Sequence, residues 1–220
     1  MTWCRSTLTV PFWRFVALSI LFAGCAHTVV VEIPPRVDLR SYQTIGIIEF
    51  SSDSEEPLDQ YATERFMAAV QHAQPSVRFL ELGSREAVLQ SVDRERLDPD
   101  ALKAIGKKHG VHSVFTGTYD ISNVKPKVRL GEDLSSIKAS AIVNLSLVSK
   151  HWDTVSGATL WTNSRSGGWS IADVAKKTGR SVSFSVSLPE DQYEPFIAKL
   201  VYAVTDDFQP HYEKRKVPKH

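Results

Sequence analysis

The spacing of apolar and polar residues changes period several times along the chain, and each change predicts an element. Phe15 to Gly24, FVALSILFAG, is a run of ten residues without a charge. It falls well short of the roughly 20 apolar residues that a spanning helix needs, and Pro11 and Arg14 interrupt any extension backwards. Residues 26–41 have no period. The adjacent prolines Pro34 and Pro35 favour extended backbone, so this stretch reads as a tether. YQTIGIIEF, residues 42–50, reads as a strand apolar on both faces. Ala62, Phe66, Ala69, Val70 and Ala73 then mark one face of a helix that Pro75 stops. Residues 77–83 suggest a second strand, and Ser84 starts a short helix.

Residues 98–110 carry the fullest helix punctuation in the chain. Asp98 suits the cap, Pro99 the first turn, Lys107, Lys108 and His109 the negative end, and Gly110 the left-handed stop. A strand follows it directly. Residues 135–152 alternate Ile137, Ala139, Ala141, Val143, Leu145 and Leu147 against polar neighbours, a long half-buried strand. A turn at Ser156-Gly157 and a strand through Leu160 and Trp161 should complete a hairpin. Residues 165–186 are weakly patterned, with a short helix suggested at IADVAKK. Ile197, Leu200, Val201, Val204 and Phe208 predict a last helix from Pro195 to Pro210, followed by a polar, disordered tail. The order predicts an α/β fold, an α+β sandwich: a mixed sheet with helices packed on it, an antiparallel hairpin in the C-terminal half and a closing helix.

Composition adds little to that picture. The 220 residues are 42% hydrophobic and 23% charged, ordinary for one folded domain. The net charge of +1 gives no strong pull toward nucleic acid or acidic lipid. The two cysteines, Cys4 and Cys25, both precede the domain, which leaves it without a disulfide framework or a cysteine zinc site.

The leader is more informative. Ten apolar residues behind a positive start suit a signal peptide, and the small residues Ala23 and Gly24 stand just before Cys25. Leu21-Phe22-Ala23-Gly24-Cys25 resembles the bacterial lipobox, departing from it at Phe22, where leucine is commonest. The resemblance implies cleavage before Cys25, diacylglyceryl attachment to its sulfur and acylation of the new N-terminus. Ala26, which is not aspartate, points to the outer membrane. Two or three acyl chains anchor stably where one is marginal. A plain signal peptide and an uncleaved anchor are the competing readings. Cleavage would remove Arg5 and Arg14, two of the 26 basic residues, leaving a nearly neutral mature chain against 25 acidic ones. The expected organisation is a signal peptide over 1–24, a lipidated cysteine and extended tether over 25–41, one α/β domain over 42–212 and a basic tail over 213–220.

The search for catalytic chemistry is less productive. His109 and His112 straddle a helix end and lack further ligands at metal spacing. Ser135-x-x-Lys138 and Lys177-Thr178-Gly179 echo serine β-lactamase motifs, but alternation with period two points Ser135 and Lys138 to opposite faces. Gly106-Lys107 does not complete a phosphate loop. Trp152, Trp161 and Trp169 could form a glycan platform if they shared a cleft. No cofactor is expected.

The succession YQTIGIIEF, VRFLELGSREAVLQSV and ALKAIGKKHGVHSVFTGTYD resembles the N-terminal α/β domain of curli-secretion (CsgG) type lipoproteins, of TolB and of the lipoprotein activators of penicillin-binding proteins. VNLSLVSKHWDTVSGATLWTNS, with Gly157 and Trp161, resembles their hairpin, and FIAKLVYAVTDDFQPHY their closing helix. The resemblance implies a non-catalytic binding or assembly factor for another envelope protein. A glycan-binding or hydrolytic envelope protein and an accessory lipoprotein of a secretion or transport system are the alternatives. A pore is disfavoured, because residues 122–137 are too charged and too short to span.

Overall fold

The computed structural model describes residues 27–42, 44–52, 58–130, 137–172, 175–178, 181–184 and 190–217. The chain divides into two compact units, one of residues 35–209 and one of the segments up to residue 34 and from 210 onward. The elements are β1 (His27–Ile33), β2 (Ile45–Ile48), α1 (Asp59–Ala73), β3 (Phe79–Gly83), α2 (Arg85–Ser91), α3 (Pro99–His109), β4 (Ser113–Leu130), β5 (Ile137–Asp153), β6 (Thr159–Ala172), β7 (Ala175–Thr178), β8 (Ser181–Phe184), α4 (Glu190–Val204), a 3-10 turn (Asp206–Phe208) and β9 (His211–Val217). No helix among the described residues is long and apolar enough to cross a membrane.

The larger unit is a mixed sheet in the order β3-β2-β4-β5-β6, as the predicted fold class requires. β2 runs parallel to both β3 and β4, and β4, β5 and β6 form an antiparallel meander. All four residues of β2 are buried. Ile45 and Ile47 join one core with Phe66, Phe115, Ile197 and Phe208, under α1 and α4. Ile48 joins a smaller core with Val88, Ile105, Val111 and Val114, under α2 and α3. Aromatic rings dominate the first core: Phe66 lies 5.1 Å from both Phe50 and Phe115, and Phe115 lies 5.7 Å from Phe208. Gly117 makes room for this packing, since a Cβ there would come within 2.4 Å of the Phe50 ring.

Local signals act as the sequence predicts in α3. Asp98 accepts the Ala101 N–H at 2.8 Å, Pro99 opens the first turn, and Gly110 closes the helix at φ 67°, a cap at each end. Other expectations are corrected. The closing helix begins at Glu190, with the exposed Pro195 inside it. Its apolar face already includes Tyr193, which packs in the core with Ile197, Leu200, Val201 and Val204, so packing outweighs the proline. The end of β6 and the strands β7 and β8 account for the described residues of the weakly patterned stretch, in place of the suggested helix. The described residues of 122–137 belong to the paired ends of β4 and β5, with Arg129 opposite Lys138.

Residues 27–33 of the expected tether and 211–217 of the expected tail form strands. In the smaller unit β1 pairs antiparallel with β9, from His27 opposite Val217 to Ile33 opposite His211. In the larger unit Leu39 is fully buried, held by the buried Gln74 at the end of α1. The Gln74 Oε1 accepts the Leu39 N–H at 2.8 Å, while its Nε2 donates to the carbonyls of Val37 at 2.7 Å and Phe208 at 3.1 Å. One amide thus joins residues 37–39, α1 and the 3-10 turn. Replacing it with the apolar Gln74→Leu strands three backbone groups, at about 1–3 kcal/mol for each one left buried. Urea unfolding should show a loss of at least about 3 kcal/mol, and a loss under about 1 kcal/mol would contradict this role.

His151 is the other demanding polar group. It is 1% exposed, stacks on Phe115 at 4.2 Å and meets the Tyr42 ring edge-on at 5.2 Å, while its Nε2 has no hydrogen-bond partner. Burial lowers its pKa from 6.5 to about 4, with the Asp153 carboxylate offsetting part of the shift, because an apolar surrounding disfavours the charged imidazolium. The unfolded chain therefore takes up a proton that the folded one refuses. Stability should be level above pH 6.5 and fall by roughly 3 kcal/mol as pH drops from 6.5 to about 4. Denaturation of wild type and His151→Phe across that range checks this, since the variant should lose that part of the slope.

Candidate functional site

The chain leaves the C-terminal end of β2 for β3 on one side and later returns as β4 on the other. Open α/β sheets form a crevice at such a switch point. Here the crevice is widened by a difference in helix cover. The helices α2 and α3 bury Val114 at the start of β4. Further along the same sheet face the side chains are polar and partly or fully exposed, as with Thr116, Thr118 and Asp120 on β4. Lys150, Val148 and Ser146 stand opposite these on β5, and Thr162, Ser164 and Ser166 complete the rows on β6.

A cleft of about 210 Å³ opens where this face meets the end of β2, with Glu49, Arg85, Thr116, Lys150 and Trp152 among its lining residues. The Trp152 indole N–H donates to the Thr116 hydroxyl at 3.0 Å, which fixes the ring as a wall. The Lys150 ammonium lies 5.4 Å from the centre of that ring, within cation–π range. Burial pushes the Glu49 carboxyl pKa up, and the carboxylates of Asp59, Glu81 and Glu86 push it further, since desolvation and like charge both favour the neutral acid. The cleft therefore combines two basic side chains, a reluctant acid, an aromatic wall and hydroxyls. Such a surface can hydrogen-bond an extended polar chain and pair with its carboxylates.

The residues singled out from sequence are dispersed. Leu21, Phe22, Ala23, Gly24 and Cys25 lie outside the described residues, as do Ser135 and Gly179. Lys138 is in β5, and Lys177 and Thr178 are in β7. Trp161 and Trp169 face α4 and the 3-10 turn: the Trp161 indole donates to Asp207 at 3.0 Å, and Trp169 stacks on Phe196 at 4.9 Å. Trp152 is on the opposite face. The three tryptophans share no cleft, so the glycan platform they could have formed is ruled out. Among the described residues no group of three or more His, Cys, Asp or Glu is placed to hold a metal. Glu49, Arg85 and Lys150 were missed. Lys150 was visible as the polar half of the β5 alternation, but nothing in sequence joined it to Glu49 and Arg85.

The raised Glu49 pKa has a definite sign. Folding favours the neutral acid, so the ionised form at neutral pH opposes the fold. Glu49→Gln should raise the melting temperature at pH 7, and the gain should shrink as pH falls through the raised folded value and be largely gone below the ordinary glutamate value of 4.5. Thermal melts at pH 7 and pH 4 test this, and an equal effect at both would refute it.

No family model matches the chain, and no curated protein matches it either. Several solved structures are similar to it. The PelC dodecamer from Paraburkholderia phytofirmans is 12% identical, covering 83% of this chain and 98% of its own, at a TM-score of 0.41. Lipoprotein GNA1162 from Neisseria meningitidis is 14% identical, covering 58% of this chain and 83% of its own, at a TM-score of 0.37. The LpoB C-terminal domain from Escherichia coli is 11% identical, covering 60% of this chain and 87% of its own, at a TM-score of 0.34.

Proposed function

We propose that this chain is a lipid-anchored protein of the bacterial cell envelope, and that its α/β unit binds another envelope protein without catalysing a reaction. Residues 1–24 serve as the leader, and Cys25 carries the acyl chains at the periplasmic face of the outer membrane. The observation that carries this reading is the sequence LFAGC at 21–25, immediately ahead of a strand that begins at His27. A cysteine there has no cysteine left to pair with once Cys4 leaves with the leader, whereas the small residues before it suit a peptidase.

The cleft beside β2 and the hydroxyl-rich face of β4, β5 and β6 form the surface offered to the partner. Arg85 and Lys150 favour an acidic or C-terminal segment, and Trp152 supplies the aromatic anchor that protein interfaces commonly use.

The anchor is tested in growing cells fed labelled palmitate. Wild type should take up label and pellet with membranes. Cys25→Ser should take up none and lose the membrane anchoring that the acyl chains provide. Equal labelling and equal partitioning of the two proteins would defeat the lipid-anchor reading.

A further inference from the structure

We infer that the β1–β9 ribbon is a membrane-surface contact that binds the anionic headgroups of phospholipids. This inference deepens the lipid-anchor reading and rests on it. Cys25 stands two residues before His27, where β1 begins. At the reach of an extended chain, the first residue of β1 lies within about 7 Å of the cysteine. Whatever holds Cys25 at a bilayer holds that end of the ribbon at headgroup level.

The antiparallel register then decides which side chains are carried there. His27 pairs with Val217, Thr28 with Lys216, Val29 with Arg215 and Val30 with Lys214. All three cations of the ribbon thus fall within about 10 Å of the anchored end, at the usual strand rise. That distance is close to one Debye length at moderate salt, so an anionic surface acts on all of them. The ribbon's acids come further out, on the next two rungs: Glu213, which pairs with Arg215 at 3.3 Å, and Glu32, which lies opposite Tyr212 on the lysine face and leaves Lys214 and Lys216 as the unpaired cations there among the described residues. Lys214, Lys216, Tyr212 and Val30 are exposed and share one face of the ribbon, with Tyr212 and Val30 at 65% and 62%. Lysines beside an exposed tyrosine and valine suit the boundary between headgroups and acyl chains.

Charge on a strand also has a protective use, since lysines discourage strange strands from pairing at an edge. That role would be served by cations anywhere along β9. It does not require them at the anchored end with the acids beyond, whereas a headgroup contact does.

The test uses the full chain purified from membranes and reconstituted into vesicles of phosphatidylcholine alone or with one-third phosphatidylglycerol. Hydrogen exchange is followed at residues 27–33 and 211–217. Each cation near an anionic surface strengthens association by about fivefold, so the ribbon amides should be several-fold better protected on the anionic vesicles. The added protection should vanish at about 0.5 M salt, where screening is short-ranged. It should vanish also in Lys214→Glu/Lys216→Glu, while ribbon amides that exchange as in wild type on the neutral vesicles show that the variant's ribbon remains paired. Equal ribbon exchange on both vesicles overturns the inference. So does protection that depends on protein concentration and not on lipid charge, which would assign the ribbon to a second copy. Attachment to the neutral vesicles reads the acyl anchor separately. If it is missing, the anchor reading fails. In that case salt-sensitive binding to the anionic vesicles alone still supports the ribbon contact, and its absence overturns that as well.

Discussion

The larger unit depends on a strand of four residues that meets water on neither face. Ile45–Ile48 has neighbours on both edges and apolar layers above and below, so its backbone groups have no recourse to solvent. A strand so placed demands helices on both sides of the sheet. The chain supplies α1 and α4 for one side and α2 and α3 for the other. The phenylalanine cluster and the smaller core around Ile48 are the two halves of that one requirement.

The two sides are not covered equally. The α1 and α4 pair, extended by the 3-10 turn, packs on side chains from every strand out to Trp161 on β6. On the other side α2 has seven residues and α3 eleven, and their buried contacts end near Val114. The meander runs on past that limit with hydroxyls, Lys150 and Trp152 on the uncovered face. The candidate site is therefore a by-product of helix length: the cleft forms where cover stops and the switch point begins. Its electrostatics follow from the same placement. Glu49 sits at the end of a buried strand among other acids, whereas Lys150 and Arg85 face the opening.

Much of the fold was legible because its signals are local. Caps at Asp98 and Gly110, the alternation of β5 and the four-residue spacing of α1 each need only a dozen residues to read. The errors arose where distant packing decides. The start of α4 is set by Tyr193 fitting into the core, and residues 37–39 are fixed by a glutamine about 35 positions away in sequence. The polar tail looked like a solvated end because its pairing partner, β1, lies at the other end of the chain. The site was less legible for the same reason. Glu49, Arg85 and Lys150 come from three separate elements, and no motif links them.

The pairing order of the sheet also bears on how the chain is made. Residues of β4, β5 and β6 find their partners nearby in sequence, so the meander can form early. β2 must wait for Ser113–Phe115, about 70 residues downstream, before its second edge is closed. Non-local parallel pairing is slow, because loop closure must precede the contacts that reward it. Until then the strand Ile45–Ile48 remains an apolar segment with an open edge, the kind of sequence that associates with its own copies. The most protected part of the finished protein is thus the most vulnerable part of the nascent one. A chain exported unfolded would need a chaperone chiefly to shield those four residues.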